Sequence, residues 1–513
     1  MRLVLIVILC LVPAESGKIA VFPYGQGFNS RLMNMEKIIG MLADDGHSVT
    51  MIISSVYDET TRPLHNTAKV MKYPAPVNTL LITDKEFLDQ INKASSELEM
   101  PQIFIKTQVN FCESLLKNGL MEKLKMENFE LLILDYADYC SRFLNDYLDI
   151  PTIVYSNFGP ISEGEIGFPS TTSYIPTFMV GFQDTMTFWE RLQNLLSYSA
   201  YEFIGRELFM KEFRKLRQKY DYNRTLSLWD SHKRAALYMS HANHALDFPR
   251  PLMPNHIYVG GMFFSPKKYI KPSLQKIIYD SAPHGVILMS FGTLLSHMAI
   301  EKAEIFAKVF AQLPHTVIWK YEGITPENLA NNTILMKWLP QNDILGNTRT
   351  KLFISHCGIS SLYEAVNHAV PTLGIPFMFD QDTNAAKIIT RYNIGLVVKF
   401  KTITEESIYN AIKAMLENKV YKDNAVELSK MAKDTPVTPK ATFLYWVNFV
   451  LRHKGPGHLR SKPAYEMSWI QYFSLDVIAF VLTVCLIICT IVAFILRCIC
   501  KCICRSKTKL KKH

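Results

Sequence analysis

The chain has 513 residues, 49% of them hydrophobic and 20% charged, too apolar for a disordered or collagen-like chain and too long for a single core. Ten cysteines are too few for a disulfide scaffold. The net charge of +10 is not a nucleic-acid signal: Arg497, Lys501, Arg505, Lys507, Lys509, Lys511 and Lys512 have no acidic residue among or after them, and removing these seven leaves an ordinary +3.

In chain order, residues 1–16 combine a basic Arg2, the apolar run Leu3–Val12 and the small residues Ala14 and Ser16, the pattern of a cleaved secretory signal. Short β-rich runs then alternate with amphipathic stretches. Ile19–Tyr24 reads as a strand, Met33–Leu42 as a helix, and Ser48–Ser54, Leu131–Asp135 and Pro151–Ser156 as further strands. Thr187–Tyr220 is long, helical and aromatic, and reads as an insertion in the first half. Phe248–Pro272, with its Pro and Gly residues, reads as the link between two halves. The second half repeats the order. Val286–Ser290, Thr316–Tyr321, Lys351–Ser355 and Thr372–Pro376 are expected strands, and Glu301–Gln312, Ser361–Asn367 and Ile408–Leu416 expected helices.

This βαβα order predicts an α/β protein with two Rossmann-like, doubly wound domains, residues 17–247 and 273–435. Ligand sites in such domains lie at the carboxyl ends of the strands, here facing the cleft between the two. Residues 436–476 are expected to form a C-terminal helix and a juxtamembrane segment. Val477–Leu496 is twenty residues without a charge, enough to cross a hydrocarbon layer of roughly 30 Å. The basic tail 497–513 follows at once, which predicts a single transmembrane helix with a cytoplasmic tail and a lumenal body. The excess positive charge then faces a membrane surface.

The cysteines divide along the same line. Only Cys112, Cys140 and Cys357 fall in the body, where one Cys112–Cys140 bridge is possible. Cys498, Cys500, Cys502 and Cys504 alternate in the tail with the wrong spacing for a zinc finger; S-palmitoylation and plain thiols both fit. Asn223 and Asn331 open glycosylation sequons, in keeping with a lumenal body.

The second half carries the informative constellation. Trp338-Leu339-Pro340-Gln341 is followed by Ser355-His356-Cys357-Gly358, Tyr363-Glu364-Ala365 and Phe379-Asp380-Gln381. With Gly46-His47, Val259-Gly260-Gly261, Ser290-Phe291-Gly292-Thr293 and Arg452-His453-Lys454-Gly455, the sequence resembles the membrane-anchored animal UDP-glycosyltransferases, the UDP-glucuronosyltransferases in particular, over nearly its whole length. The resemblance implies a GT-B fold, a UDP-sugar co-substrate (glucuronate or glucose), a small lipophilic acceptor, and neither cofactor nor metal. It leaves homo- or hetero-oligomers open. It implies donor-binding roles for Ser290, Thr293, Trp338, Gln341, His356, Gly358, Ser360, Glu364, Asp380 and Gln381. The residues support this independently. A strand ending at His356 and a helix starting near Ser360 present free N–H groups to a diphosphate. Glu364, one turn on, can accept from both ribose hydroxyls. Trp338 offers a flat face to the uracil ring and Gln341 an amide to its edge. Asp380 and Gln381 follow the next strand and can reach sugar hydroxyls. The family usually has Asn where Ser360 stands; Ser remains a good helix cap.

In the first half the family's catalytic pair is a His after the first strand and an Asp that orients it. The Asp matches Asp135, with Asp138 a second choice. The His is missing: its slot holds Arg31, and no His lies between Lys18 and Gly46. Arg keeps its proton, so Arg31 is no general base. Asp135 could act as base, the acceptor could need little help, or the protein could bind donor without turnover. Arg31 could grip an anionic acceptor or pair with Asp135. Arg250 could hold a sugar carboxylate or a structural partner. Lys509 and Lys511 resemble a dilysine retrieval signal, which implies the endoplasmic reticulum membrane. A rival reading, the dinucleotide loop Gly25-Gln26-Gly27-Phe28-Asn29-Ser30, lacks its third Gly and leaves the second-half block unexplained.

Overall fold

The computed structural model describes residues 16–25, 29–60, 63–76, 99–157, 159, 171–177, 180–220, 228, 230–292, 298–455, 457–461 and 466–510. The expected signal before Ser16, Asn223 and Thr293 lie outside them. The chain forms a body ending at Leu459 and a second unit, Arg460–His513.

The body holds two parallel sheets. In the first half, β1 (Lys18–Phe22) leads to α1 (Asn29–Asp44), β2 (Ser48–Ser54), β3 (Lys69–Tyr73), α2 (Glu99–Lys117), β4 (Leu131–Asp135), α3 (Ser141–Leu148) and β5 (Thr152–Ser156). The expected insertion is helical: α4 (Phe188–Ala200), a π turn over Tyr201–Gly205, and α5 (Arg206–Lys219). Strands β6 (Leu237–Ser240) and β7 (His256–Tyr258) complete a seven-stranded sheet in the order β3-β2-β1-β4-β5-β6-β7. Part of the segment expected as a link is thus the edge strand of this sheet, with Tyr238 paired to His256. Three residues are too few to show a strand pattern.

After α6 (Pro272–Asp280) come β8 (Val286–Ser290), α7 (Ile300–Ala311), β9 (Thr316–Lys320), β10 (Thr333–Met336), β11 (Thr350–Ser355), α8 (Ile359–Asn367) and β12 (Thr372–Gly374), then α9 (Glu405–Glu417), α10 (Val420–Lys433) and α11 (Pro439–Arg452). The second sheet runs β10-β9-β8-β11-β12. Both sheets are covered on both faces, which is why β4, β5 and β8 are buried at every position and read as unbroken apolar runs. On one face of the first sheet, Met35, Ile38 and Leu42 of α1 pack with Phe443, Val447 and Val450 of α11, so the chain returns to its first half before leaving the body. Phe111 and Leu115 of α2, Phe143 of α3 and Phe213 of α5 cover the other face. Phe306 and Phe310 of α7 and Ile408 and Ile412 of α9 cover the second sheet.

The body also carries the Cys112–Cys140 disulfide, which ties α2 to the residue preceding α3. Cys357 is buried and free. In the second unit, α12 (Leu475–Leu510) contains the expected span. Its segment Leu475–Lys501 has a mean hydropathy of 3.1 in its most apolar window, is exposed there, and is long and apolar enough to cross a membrane.

Candidate active site

Strands β8 and β11 end side by side, with Ser290 in register with Ser355. Just beyond them the chain turns into α8 through His356, Cys357 and the N-capping Gly358. Cys357 takes a left-handed φ of 66°, unusual for a residue with a side chain. It is held there from both sides: Ser355 Oγ accepts from its N–H at 3.2 Å, and Asn384 Nδ2 donates to its carbonyl at 3.1 Å. The turn seats the half-buried His356. A Cβ on Gly358 would lie 2.5 Å from its Nε2, and one on Gly292 3.1 Å, so both glycines make room for the imidazole edge. Nδ1 is buried without a hydrogen-bond partner among the described residues. Burial pushes the imidazole down to about 4, against a contact with the Ser290 backbone. At neutral pH it is therefore an uncharged donor beside free helix N–H groups, suited to a diphosphate oxygen.

One turn along α8, Glu364 accepts from Gln341 Nε2 at 2.7 Å; the same amide reaches Ser361 Oγ at 3.0 Å. Gln341 therefore aims the carboxylate. Burial raises the Glu364 carboxyl, while the Gln341 bond and the charge of Lys37 pull it back. Trp338 is 70% exposed, leaving its ring face open. Asp380 Oδ2 accepts from Asn384 Nδ2 at 2.6 Å. Burial raises Asp380, opposed by Asn384 and by the charge of Arg31. Gln381 is buried and its Oε1 accepts from the N–H groups of Phe377 and Met378 at 2.7 and 3.0 Å, so its carbonyl shapes the loop that presents Asp380. Arg250 is half-buried and its charge falls on His256 of β7. Asn331 is exposed before β10.

Helix α1 begins at Asn29, earlier than expected, which puts Arg31 in its first turn. Arg31 donates from Nη1 to Asp135 Oδ1 at 2.8 Å; the arginine side chain is 15% exposed and the aspartate fully buried. Asp135 meets two further donors: Oδ1 also accepts from the Ala137 N–H at 2.9 Å, and Oδ2 from Asn157 Nδ2 at 3.0 Å. Asn157 Oδ1 in turn accepts from Asn34 Nδ2 at 2.9 Å, and Asn34 Nδ2 reaches Ser360 Oγ at 3.3 Å. One hydrogen-bond chain thus joins Asp135 to the N-terminus of α8 in the other half. Sequence reasoning missed Asn34 and Asn157. Their signals were position: Asn34 lies three residues after Arg31 on one helix face, and Asn157 directly follows the carboxyl end of β5. Asp138 is not in this chain. It is buried, accepts from the Cys140 N–H at 2.9 Å, and is pushed up to about 7, chiefly by burial.

Two parallel Rossmann-like sheets give the body the GT-B architecture. Solved structures agree on the fold. The calicheamicin glycosyltransferase CalG4 matches with a TM-score of 0.60 at 15% identity, covering 86% of this chain and all of that one. Os79 from O. sativa in complex with U2F and trichothecene matches with a TM-score of 0.59 at 15% identity, covering 85% and 100%. In sequence, UDP-glucuronosyltransferase 1A7 of Mus musculus is 34% identical over 92% of this chain and 89% of its own length. UDP-glucuronosyltransferase 1A8 of Homo sapiens is 33% identical over the same shares. Residues 17–513 match the family described as UDP-glucoronosyl and UDP-glucosyl transferase, and the chain belongs to that family.

Proposed function

We propose that the protein transfers a hexosyl group, glucuronate or glucose, from a UDP-sugar to a small lipophilic acceptor by inverting displacement. The observation that carries this reading is the α8 terminus: an uncharged His356 seated between Gly292 and Gly358, with Glu364 aimed by Gln341 one turn away. His356 and the helix N–H groups hold the diphosphate, Glu364 the ribose, and Trp338 the uracil ring. Asp380 meets the sugar hydroxyls. The acceptor enters from the first half, and α12 anchors the chain in the endoplasmic reticulum membrane with the body lumenal.

Titration of the folded full-length chain with UDP tests the donor half. Glu364→Ala is expected to weaken binding by about 1–3 kcal/mol through lost hydroxyl bonds. No binding at millimolar UDP sinks the proposal. Endoglycosidase sensitivity at Asn223 and Asn331 tests the topology.

The Arg31–Asp135 pair supports a second reading, a donor-binding homologue with impaired turnover that acts as a partner or scaffold. Where the family has a proton acceptor, this chain holds a permanent cation already bound to the aspartate.

A further inference from the structure

The Gly46-His47 pair has no part in the donor or acceptor machinery. It turns the chain from α1 into β2: Gly46 takes a φ of 92°, and the His47 N–H donates to the Leu42 carbonyl at 3.0 Å. The turn carries the imidazole inward, where the side chain is fully buried. Its Nδ1 accepts from the Gly17 N–H at 3.1 Å. A backbone N–H can only donate, so the ring proton sits on Nε2. Nε2 lies 3.4 Å from Asp45 Oδ2, and that oxygen accepts from Asn448 Nδ2 of α11 at 2.9 Å. Burial holds His47 below its ordinary value, against the pull of Asp45, so the ring is an uncharged acceptor at neutral pH.

Gly17 is buried, whereas Ser16, one residue earlier, is exposed. The Gly17 carbonyl accepts from the Ser48 N–H at 3.0 Å, and the Lys18 N–H donates to Glu130 Oε2 at 2.8 Å, so the backbone here is gripped from both sides. A Cβ at position 17 would lie 2.7 Å from Leu451 Cδ1, so glycine lets the backbone lie close to the end of α11. The step from exposed to buried falls where the small residues Ala14 and Ser16 put the end of the secretory signal. Hydrolysis of the Ser16–Gly17 peptide bond adds one water: Ser16 leaves with a carboxylate, and Gly17 keeps an amine that is protonated at neutral pH. The amine occupies the place of the amide and carries a charge. A hydrogen bond from a charged donor is about twice as strong as one from a neutral amide. The side from which Ser16 departs is open to water, which serves the remaining N–H groups. Counter-charge is at hand, since Asp45 and Glu130 both act on His47.

We propose that the mature chain begins at Gly17 and that its α-ammonium docks on Nδ1 of His47, backed by Asp45 and Asn448, fastening the start of β1 to α11. This rests on the reading of residues 1–16 as a cleaved signal. Processing then supplies a structural contact as well as removing a leader: the new terminus ties the first strand to the helix through which the chain leaves the body.

The test expresses the full-length chain from Met1 in cells with a secretory pathway and purifies it folded in detergent. Amines are acetylated with a light reagent in the native state and with a heavy one after denaturation. Trypsin, then limited to arginines, should release Gly17–Arg31 as the first peptide. A free α-amine is less basic than lysine and acylates faster near neutral pH, so slow labelling reports the seat. The light label at Gly17 is expected to be about tenfold or more below that at the exposed Lys215 and Lys337. His47→Leu removes the acceptor and should raise Gly17 labelling by about tenfold or more; His47→Gln keeps an acceptor oxygen and should preserve protection. Circular dichroism checks that each variant is folded, and if His47→Leu is not, the native chain and His47→Gln decide. A first residue other than Gly17 overturns the proposal. So does native labelling of Gly17 as fast as the exposed lysines, protection unchanged in folded His47→Leu, or protection lost in folded His47→Gln.

Discussion

Arg31→His puts the proposed chemistry at risk most directly. Arg31 contacts Asp135 at 2.8 Å, and Asp135 keeps two other donors, the Ala137 N–H and Asn157 Nδ2. Removing one partner of a buried pair costs about 3–5 kcal/mol when the other is stranded. Here the remaining donors and the new imidazole share the carboxylate, so the expected loss is nearer 1–3 kcal/mol and the fold survives. The gain lies in the transition state. An imidazole oriented by Asp135 can take the acceptor's proton, and such help is typically worth about 10²–10⁴-fold, or roughly 3–5 kcal/mol of barrier. The assay is kcat/KM for a simple phenol and for an aliphatic alcohol with UDP-glucuronate and UDP-glucose, from pH 5 to 9. The variant should outpace the native chain, most on the alcohol, and acquire an acid limb as the imidazole loses its proton. The native chain should lack that limb, because it has no imidazole at position 31. Adding Asp135→Asn should abolish the gain. Two results refute the reasoning: brisk native transfer to alcohols that Arg31→His slows, or unchanged rates in a variant that still binds UDP. The first makes Arg31 a substrate-positioning residue; the second favours the impaired homologue.

Two further expectations concern stability. The Asp138 carboxyl sits at about 7 when folded, against an ordinary 3.8. The folded state therefore binds more protons, and native stability should fall as pH rises from about 4 to about 7 and stay level above, by roughly 4 kcal/mol. Asp138→Asn keeps the acceptor for the Cys140 N–H, so urea unfolding should show the variant gaining on the native chain across that window; a pH-independent difference contradicts the assignment. Lys387 and Asp247 form a buried ion pair at 2.6 Å between the two halves of the body. Asp247 Oδ2 keeps the Asn243 N–H at 3.0 Å, so Lys387→Met should cost about 1–3 kcal/mol, and a second change, Asp247→Leu, should recover part of it, as a double-mutant cycle in urea would show.

Strands buried on both faces were legible because unbroken apolar runs need no periodicity to be seen. Val286–Ser290 and Leu131–Asp135 are observed where the runs placed them. The missed strands are short or lie at sheet edges: Leu237–Ser240 is buried throughout but only four residues long, and Thr333–Met336 ends the second sheet. Lys69–Tyr73 mixes lysines with apolar residues because it is only partly covered, and His256–Tyr258 is three residues long. The block Trp338–Gln381 stood out because its parts lie close together in sequence. The cross-domain contacts did not. Asn34 meets Asn157 across 123 positions and Ser360 across 326, and no local pattern announces an amide that pairs at such separations. The Cys112–Cys140 bridge was open for the same reason: spacing allows it, but only the packing of α2 beside the Asp135–Cys140 turn brings the two sulfurs together.

The chain from Asp135 to Ser360 changes what the replacement at position 31 means. Asn34 spends its donors on Asn157 and Ser360, and Asn157 donates to Asp135, so both amides are oriented by the carboxylate at one end. Ser360 Oγ accepts the second Asn34 N–H at 3.3 Å. With Arg31 and the Ala137 N–H on Oδ1 and Asn157 on Oδ2, Asp135 meets a donor on each oxygen. Oδ2 keeps a lone pair beyond the Asn157 bond, so the geometry leaves all three outcomes read from the sequence open, and the Arg31→His assay decides among them.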